Sequence, residues 1–136
     1  MPHRPLLEID GVEYPHVYEV SYEIYTSKDE TGRPTDRAHF GVIKITIESA
    51  EDGNVDIARW AMDTSQPNWK SGKVTFYNKD SAVMKELSWT DGFITKFAEK
   101  IPHVKEHADE QIYQYFEISA NSIMIADAEI LNYWDK

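Results

Sequence analysis

Cysteine is absent from the 136-residue chain, which excludes disulfides, cysteine-ligated zinc and a thiol nucleophile together. Positive charge is scarce: 24 acidic residues against 14 basic ones give a formal charge of −10. That balance opposes binding to phosphate backbones and anionic lipid, so nucleic acid is not expected as a partner. No apolar run approaches the roughly 18 residues of a membrane helix, and no membrane insertion is expected. The opening residues Met1, Pro2, His3, Arg4, Pro5, Leu6 and Leu7 lack the apolar core of a signal peptide. The chain is therefore expected in the cytoplasm, with secretion by a machine that accepts folded cargo left open. Catalytic signatures are missing too: there is no G-x-S-x-G elbow and no phosphate-cradling glycine loop. Neither an enzymatic activity nor a cofactor is expected.

What is present argues for one domain over residues 1–136, long enough to bury about two-thirds of its unfolded surface. Residues 31–63 organise the reading. Thr31, Gly32, Arg33 and Pro34 carry turn chemistry, since glycine reaches backbone angles closed to other residues and proline cannot continue a ladder. From Gly41 the pattern alternates, with Ile43, Ile45 and Ile47 on one side and Lys44, Thr46 and Glu48 on the other, which is a half-buried strand. Over residues 54–63 the period changes. Val55, Ile57, Ala58, Trp60, Ala61 and Met62 cover most of a helical wheel, leaving a narrow polar stripe of Asp56, Arg59 and Asp63. The expectation is one internal helix packed on nearly every side, with Val55, Ala58, Trp60 and Met62 in its buried core.

Strands account for most of the remainder. Leu6, Leu7 and Ile9 run into Asp10 and Gly11, a hairpin turn pair. Residues 14–24 then put Tyr14, His16, Tyr18, Val20, Tyr22 and Ile24 at even positions, an aromatic face whose register is strongly specified. Residues 27–39 form a polar loop of a length at which loops tend to be functional. Val74 and Phe76 alternate with Thr75 and Tyr77. Leu87 and Trp89 lead to Asp91 and Gly92, the strongest hairpin signal in the chain, and residues 119–122 (Ser, Ala, Asn, Ser) suggest a further turn. About eight short antiparallel strands with one internal helix predict a mainly β fold, a two-sheet sandwich or small barrel built from hairpins.

Two clusters invite a chemical reading. His103 and His107, with Glu106 and Asp109 nearby, have a spacing that suits a metal on a helical face, but the segment is not convincingly helical and no third ligand is evident, so it is read as solvated loop. Glu48, Glu51, Asp52 and Asp56 could hold calcium or act as an acid and base; the simpler reading is a helix start, where carboxylates complement the free amides. The tyrosine stripe is read as core rather than as the lining of a ligand cavity.

A family resemblance extends this reading. Residues 8–14 (Glu-Ile-Asp-Gly-Val-Glu-Tyr), Ser21 and Tyr22, Asp29 with Thr31, Gly32, Arg33 and Pro34, residues 45–49, Trp60 with Met62, residues 72–77 and residues 84–87 together resemble the haemolysin-coregulated proteins. These are the tube proteins of type VI secretion, and the similarity is to their divergent Bacteroidetes-type form. Residues 118–123 and 128–134 fit as well. The resemblance implies a β-barrel of two sheets with one helix, a non-enzymatic hexameric ring, and rings stacked into a tube driven by a contractile sheath. It also implies spike and baseplate partners, and effectors carried in the lumen to the exterior or a target cell. A loop with Thr31, Gly32, Arg33, Pro34, Asp36 and Arg37 would then reach a neighbouring subunit or ring. The alternative is a monomeric barrel that binds a small ligand or chaperones a secreted partner.

Overall fold

In the computed structural model, residues 4–14, 16–48, 55–63, 68–100 and 112–131 are described. The chain starts with the hairpin that the Asp10 and Gly11 pair predicts. β1 (Leu6–Ile9) and β2 (Val12–Tyr14) pair with Ile9 opposite Val12. Both turn residues have positive φ, +48° and +83°, the combination that a two-residue turn needs to match strand twist. There follow β3 (Val17–Ser21), β4 (Ile24–Tyr25), β5 (His39–Phe40), β6 (Ile43–Glu48), α1 (Asp56–Met62), β7 (Lys70–Tyr77), β8 (Val83–Lys100), β9 (Tyr113–Ile125) and β10 (Ala128–Leu131).

The fold is mainly β and antiparallel, with one helix among the described residues, as the patterning predicts. Eight strands make one curled sheet in the order β2-β1-β7-β8-β9-β6-β3, with β10 on β9, and β4 pairs with β5 in a separate small sheet. The hydrogen-bonded path does not join β2 to β3. Among the described residues the large sheet is thus a half-barrel whose end strands β2 and β3 do not pair with each other. Its core holds Leu7, Val17, Ile43, Ile45, Val74, Leu87, Trp89, Phe116 and Ile118, all essentially without solvent contact. The alternation of β6 is as read: Ile43, Ile45 and Ile47 are buried and Lys44 is exposed.

Three expectations are corrected. Asp91 and Gly92 do not turn the chain; β8 runs straight through them for 18 residues. Asp91 still takes a positive φ of +53°, but the pairing of β8 with β9 continues from Thr90↔Ser122 to Gly92↔Ala120. The irregularity falls on the β7 side, between Lys70↔Gly92 and Gly72↔Trp89. A dipeptide that favours a hairpin here makes a bulge because both neighbouring strands hold β8 in place. Residues 119–122 likewise lie inside β9, where Ala120 and Ser122 are buried in strict alternation. Third, the even-numbered face of residues 14–24 is not continuous. The run is split into β2 and β3, which pair with different strands and lie at opposite ends of the sheet order. Val17 is then the buried residue and Tyr18 is 59% exposed, with a register shift between Val17 and Glu19.

The helix is also shorter and wetter than its wheel suggests. Of its seven residues only Ile57 and Trp60 are buried. Ala58 is half-buried, and Val55 and Met62, expected in the core, are 49% and 71% exposed. Two turns offer one contact line, and α1 packs chiefly along β8. Trp60 anchors the contact, its indole N–H donating to the carbonyl of Asn68 at 2.9 Å. Asp56 and Arg59 pair at 3.2 Å on the polar stripe. Residues 52–54, read as the helix start, lie outside the described residues; Val55 occupies the cap position without a side-chain bond.

Candidate interaction surface

β4 and β5 form the base of an arm spanning residues 24–40, with Ile24 opposite Phe40 and Tyr25 opposite His39. The root is tied to the core. Phe40 is buried and its ring stacks on Tyr22 at 5.5 Å, and the Gly41 amide donates to the Glu23 carbonyl at 3.0 Å. Outward from the root, residues 24–38 are all exposed, including the large apolar Ile24 and Tyr25. The long polar loop of the sequence is thus an ordered projection. Thr35 donates to the carbonyl of Ser27 at 2.9 Å, and Lys28 bridges to Pro34.

Two aspartates hold the arm locally. Asp29 Oδ1 accepts from the Thr31 amide at 2.9 Å, the Thr31 hydroxyl at 2.7 Å and the Arg33 amide at 3.1 Å. Asp36 accepts from the Arg37 amide at 2.7 Å and meets His39 Nε2 at 2.9 Å, while His39 stacks on Tyr25. Hydrogen bonds to the ionised form keep both carboxyls below the usual aspartate value, from Thr31 first at Asp29 and from His39 first at Asp36. Thr31, Gly32, Arg33, Pro34, Asp36 and Arg37, the residues expected to make contact, therefore all lie on this arm. Thr31, Gly32 and Arg33 gather around Asp29; Asp36, Arg37 and His39 form a second group. Sequence reasoning passed over Asp29 as a functional residue. Its signal was an aspartate two residues before a threonine and three before a glycine, the pattern of a side chain that caps its own turn.

A second feature is a cleft of about 240 Å³ between the β1–β2 hairpin and α1, lined by Ile9, Asp10, Val12, Tyr14, Asp56, Ile57, Arg59, Trp60, Asp63 and Lys70. Its charges are largely matched internally: Asp56 with Arg59 at 3.2 Å and Asp10 with Lys70 at 3.7 Å. Burial, with a smaller push from Asp56, raises the Tyr14 phenol. Of the acidic cluster read from sequence, Glu48 pairs with Arg4 at 2.9 Å and Asp56 with Arg59; Glu51 and Asp52 lie outside the described residues. So do His103, Glu106, His107 and Asp109. Among the described residues no three acidic or histidine side chains converge as for a metal ion. On the sheet, burial and then Glu117 push the Tyr115 phenol to about 12, its hydroxyl donating to Glu117 Oε2 at 2.6 Å.

Comparison with known proteins follows the same lines as this geometry. The family described as hemolysin coregulated protein Hcp (TssD) matches over residues 1–135. Among solved structures, Hcp1 from Flavobacterium johnsoniae is similar at 30% identity and a TM-score of 0.77, the match covering 94% of this chain and 98% of that one. Hcp1 of the E. coli EAEC 042 pathovar shares the fold at 10% identity and a TM-score of 0.72, over 98% and 99% of the two chains. A chain of the extended sheath-tube complex of the extracellular contractile injection system PVC does so at 13% identity and 0.58, over 93% and 90%. No curated protein matches at a significant level.

Proposed function

The chain belongs to the haemolysin-coregulated protein family, TssD, whose members are structural tube proteins rather than enzymes, and on that premise we propose that it is the inner-tube subunit of a type VI secretion apparatus. Six copies close a ring, rings stack into a tube, and effectors travel in the lumen. The observation that carries this reading is the extent of the match: the family model spans residues 1–135 of this chain and the Flavobacterium johnsoniae relative is covered over 98% of its length, so the tube-protein fold accounts for nearly the whole chain. An exposed, preformed arm and a half-barrel with open edges support it, since both are features that a second copy would cover. Sheath, spike and baseplate proteins are then its further partners, and nucleic acid is not one. The protein would reside in the cytoplasm before firing and reach the exterior or a target cell through the apparatus. Among the described residues no helix is long and apolar enough to cross a membrane.

The monomeric ligand-binding or chaperone alternative needs a largely apolar cavity. The cleft beside α1 is instead crossed by ion pairs, and no observation favours that reading. Electron microscopy of the purified protein, with its solution mass, tests the proposal. Open-centred rings with a mass near six chains are expected; a compact monomer at high concentration would overturn it.

A further inference from the structure

Three consecutive amides at the tip of the arm converge on one residue. The Thr31 and Arg33 amides donate to Asp29 Oδ1, and between them the Gly32 amide donates to the Asp29 carbonyl at 3.0 Å. N–H groups turned toward one point attract an anion, and here the Thr31 and Arg33 amides hold the chain's own carboxylate while Gly32 holds the carbonyl of the same residue. Gly32 closes the turn at φ +87° with open space around it. Every residue of this network is exposed, so the core contributes nothing to its order, and a two-stranded hairpin alone is marginal in water. Beyond the backbone pairs of the arm, such as the Asp29 amide on the Arg33 carbonyl at 3.0 Å, the order of the tip is set by the Asp29 side chain.

Taking the tube-subunit reading as its basis, we infer that Asp29 is a positioning residue for assembly: its Oδ1 sets the turn that carries Arg33 before a second copy of this chain arrives. The Arg33 side chain has no ion pair among the described residues, so it is available to a partner's carboxylate, whereas Asp29 is turned inward. A loop that is already ordered loses less freedom on binding, and that saving appears as affinity. All three side-chain bonds end on one acceptor oxygen, so the position of that oxygen matters together with the charge that strengthens its bonds.

The test compares full-length wild type with Asp29→Ala and Asp29→Asn. Three quantities are measured: the melting temperature, amide exchange at Thr31, Gly32 and Arg33 in the unassembled protein, and the concentration at which half the protein enters rings. Asp29→Ala is expected to melt like wild type, to lose the tip protection, and to need about tenfold more protein to assemble. Asp29→Asn keeps Oδ1 without its charge and should restore part of both properties. An Asp29→Ala chain that assembles at the wild-type concentration overturns the inference, as does an asparagine variant no better than alanine. The two failures are distinguishable. Wild type that never assembles overturns the tube reading and this role with it; wild type that assembles beside an equally competent Asp29→Ala overturns this role alone.

Discussion

Gly72 and Gly92 stand on either side of the Trp89 indole, so close that a methyl group on either would meet it. An added Cβ would lie 2.6 Å from Trp89 Cζ2 at Gly72, and 2.6 Å from its Cδ1 at Gly92. At Gly72 the same Cβ would stand 2.5 Å from the Glu8 carbonyl oxygen, which belongs to a paired strand and cannot step aside. The indole is further held by its N–H, which donates to the Lys70 carbonyl at 3.0 Å. Gly72→Ala is therefore expected to destabilise the domain by at least about 1–3 kcal/mol through overpacking, read as a lower denaturant midpoint; an unchanged midpoint would mean that the slot is roomier than these distances say. The arm aspartates give a second residue-scale expectation. Their folded pKa values lie below the ordinary 3.8, so their contribution is complete above that value and lost as the pH falls through the lowered folded values. The amide resonance of Thr31, whose acceptor Asp29 has no histidine partner, should hold steady from neutral pH down to about 5 and move only below about 4. Movement near pH 6 would assign the arm's order to another group.

At the scale of elements, α1 is held by one residue more than by its apolar wheel. Trp60 is buried and hydrogen-bonded, while Met62, two residues on, is 71% exposed. Trp60→Ala should cost about 3–5 kcal/mol, whereas Met62→Ala should stay within about 0.5 kcal/mol in the isolated chain. Chemical denaturation of both variants separates the two cases, and equal losses would mean that the helix is packed on both sides after all. The long pair β8 and β9 is the other decisive element. Its register runs from Leu87↔Ile125 to Lys100↔Tyr113, and it carries two segments whose composition favours turns.

For the whole molecule, burial and exposure divide along a line that matters for assembly. The large sheet packs a core of aliphatic and aromatic side chains, while among the described residues the arm, the unpaired sides of the end strands β2 and β3 and the outer face of α1 are exposed or without a paired strand. In a tube these are the surfaces on which copies would meet. Arg33→Ala, far from the core on the exposed tip, should leave the melting temperature unchanged and weaken ring or tube formation; assembly equal to wild type would remove Arg33 from the contact.

Much of this was legible in the residues alone, because side-chain periodicity reports local geometry. The alternation of Ile43, Ile45 and Ile47, the Asp10 and Gly11 turn, the presence of a helix around Trp60 and the mainly β class all follow from spacing, and the family followed from the order of short motifs such as Asp29 to Pro34. The same local logic failed wherever a distant strand outweighed a local preference. Asp91 and Gly92 would turn a free chain, but β7 and β9 hold them in an extended strand; Ala120 and Ser122 look like turn residues, yet they supply the small side chains of a crowded ladder. A helical wheel records which residues are apolar and not how many neighbours arrive to cover them, so Val55 and Met62 could be assigned only once the sheet was seen to pass on one side. The inward turn of Asp29 is by contrast a local device that the sequence did carry, since its bonds go to residues two to four positions on; only the placing of the arm, rooted through Phe40 on the core, was left to the tertiary structure.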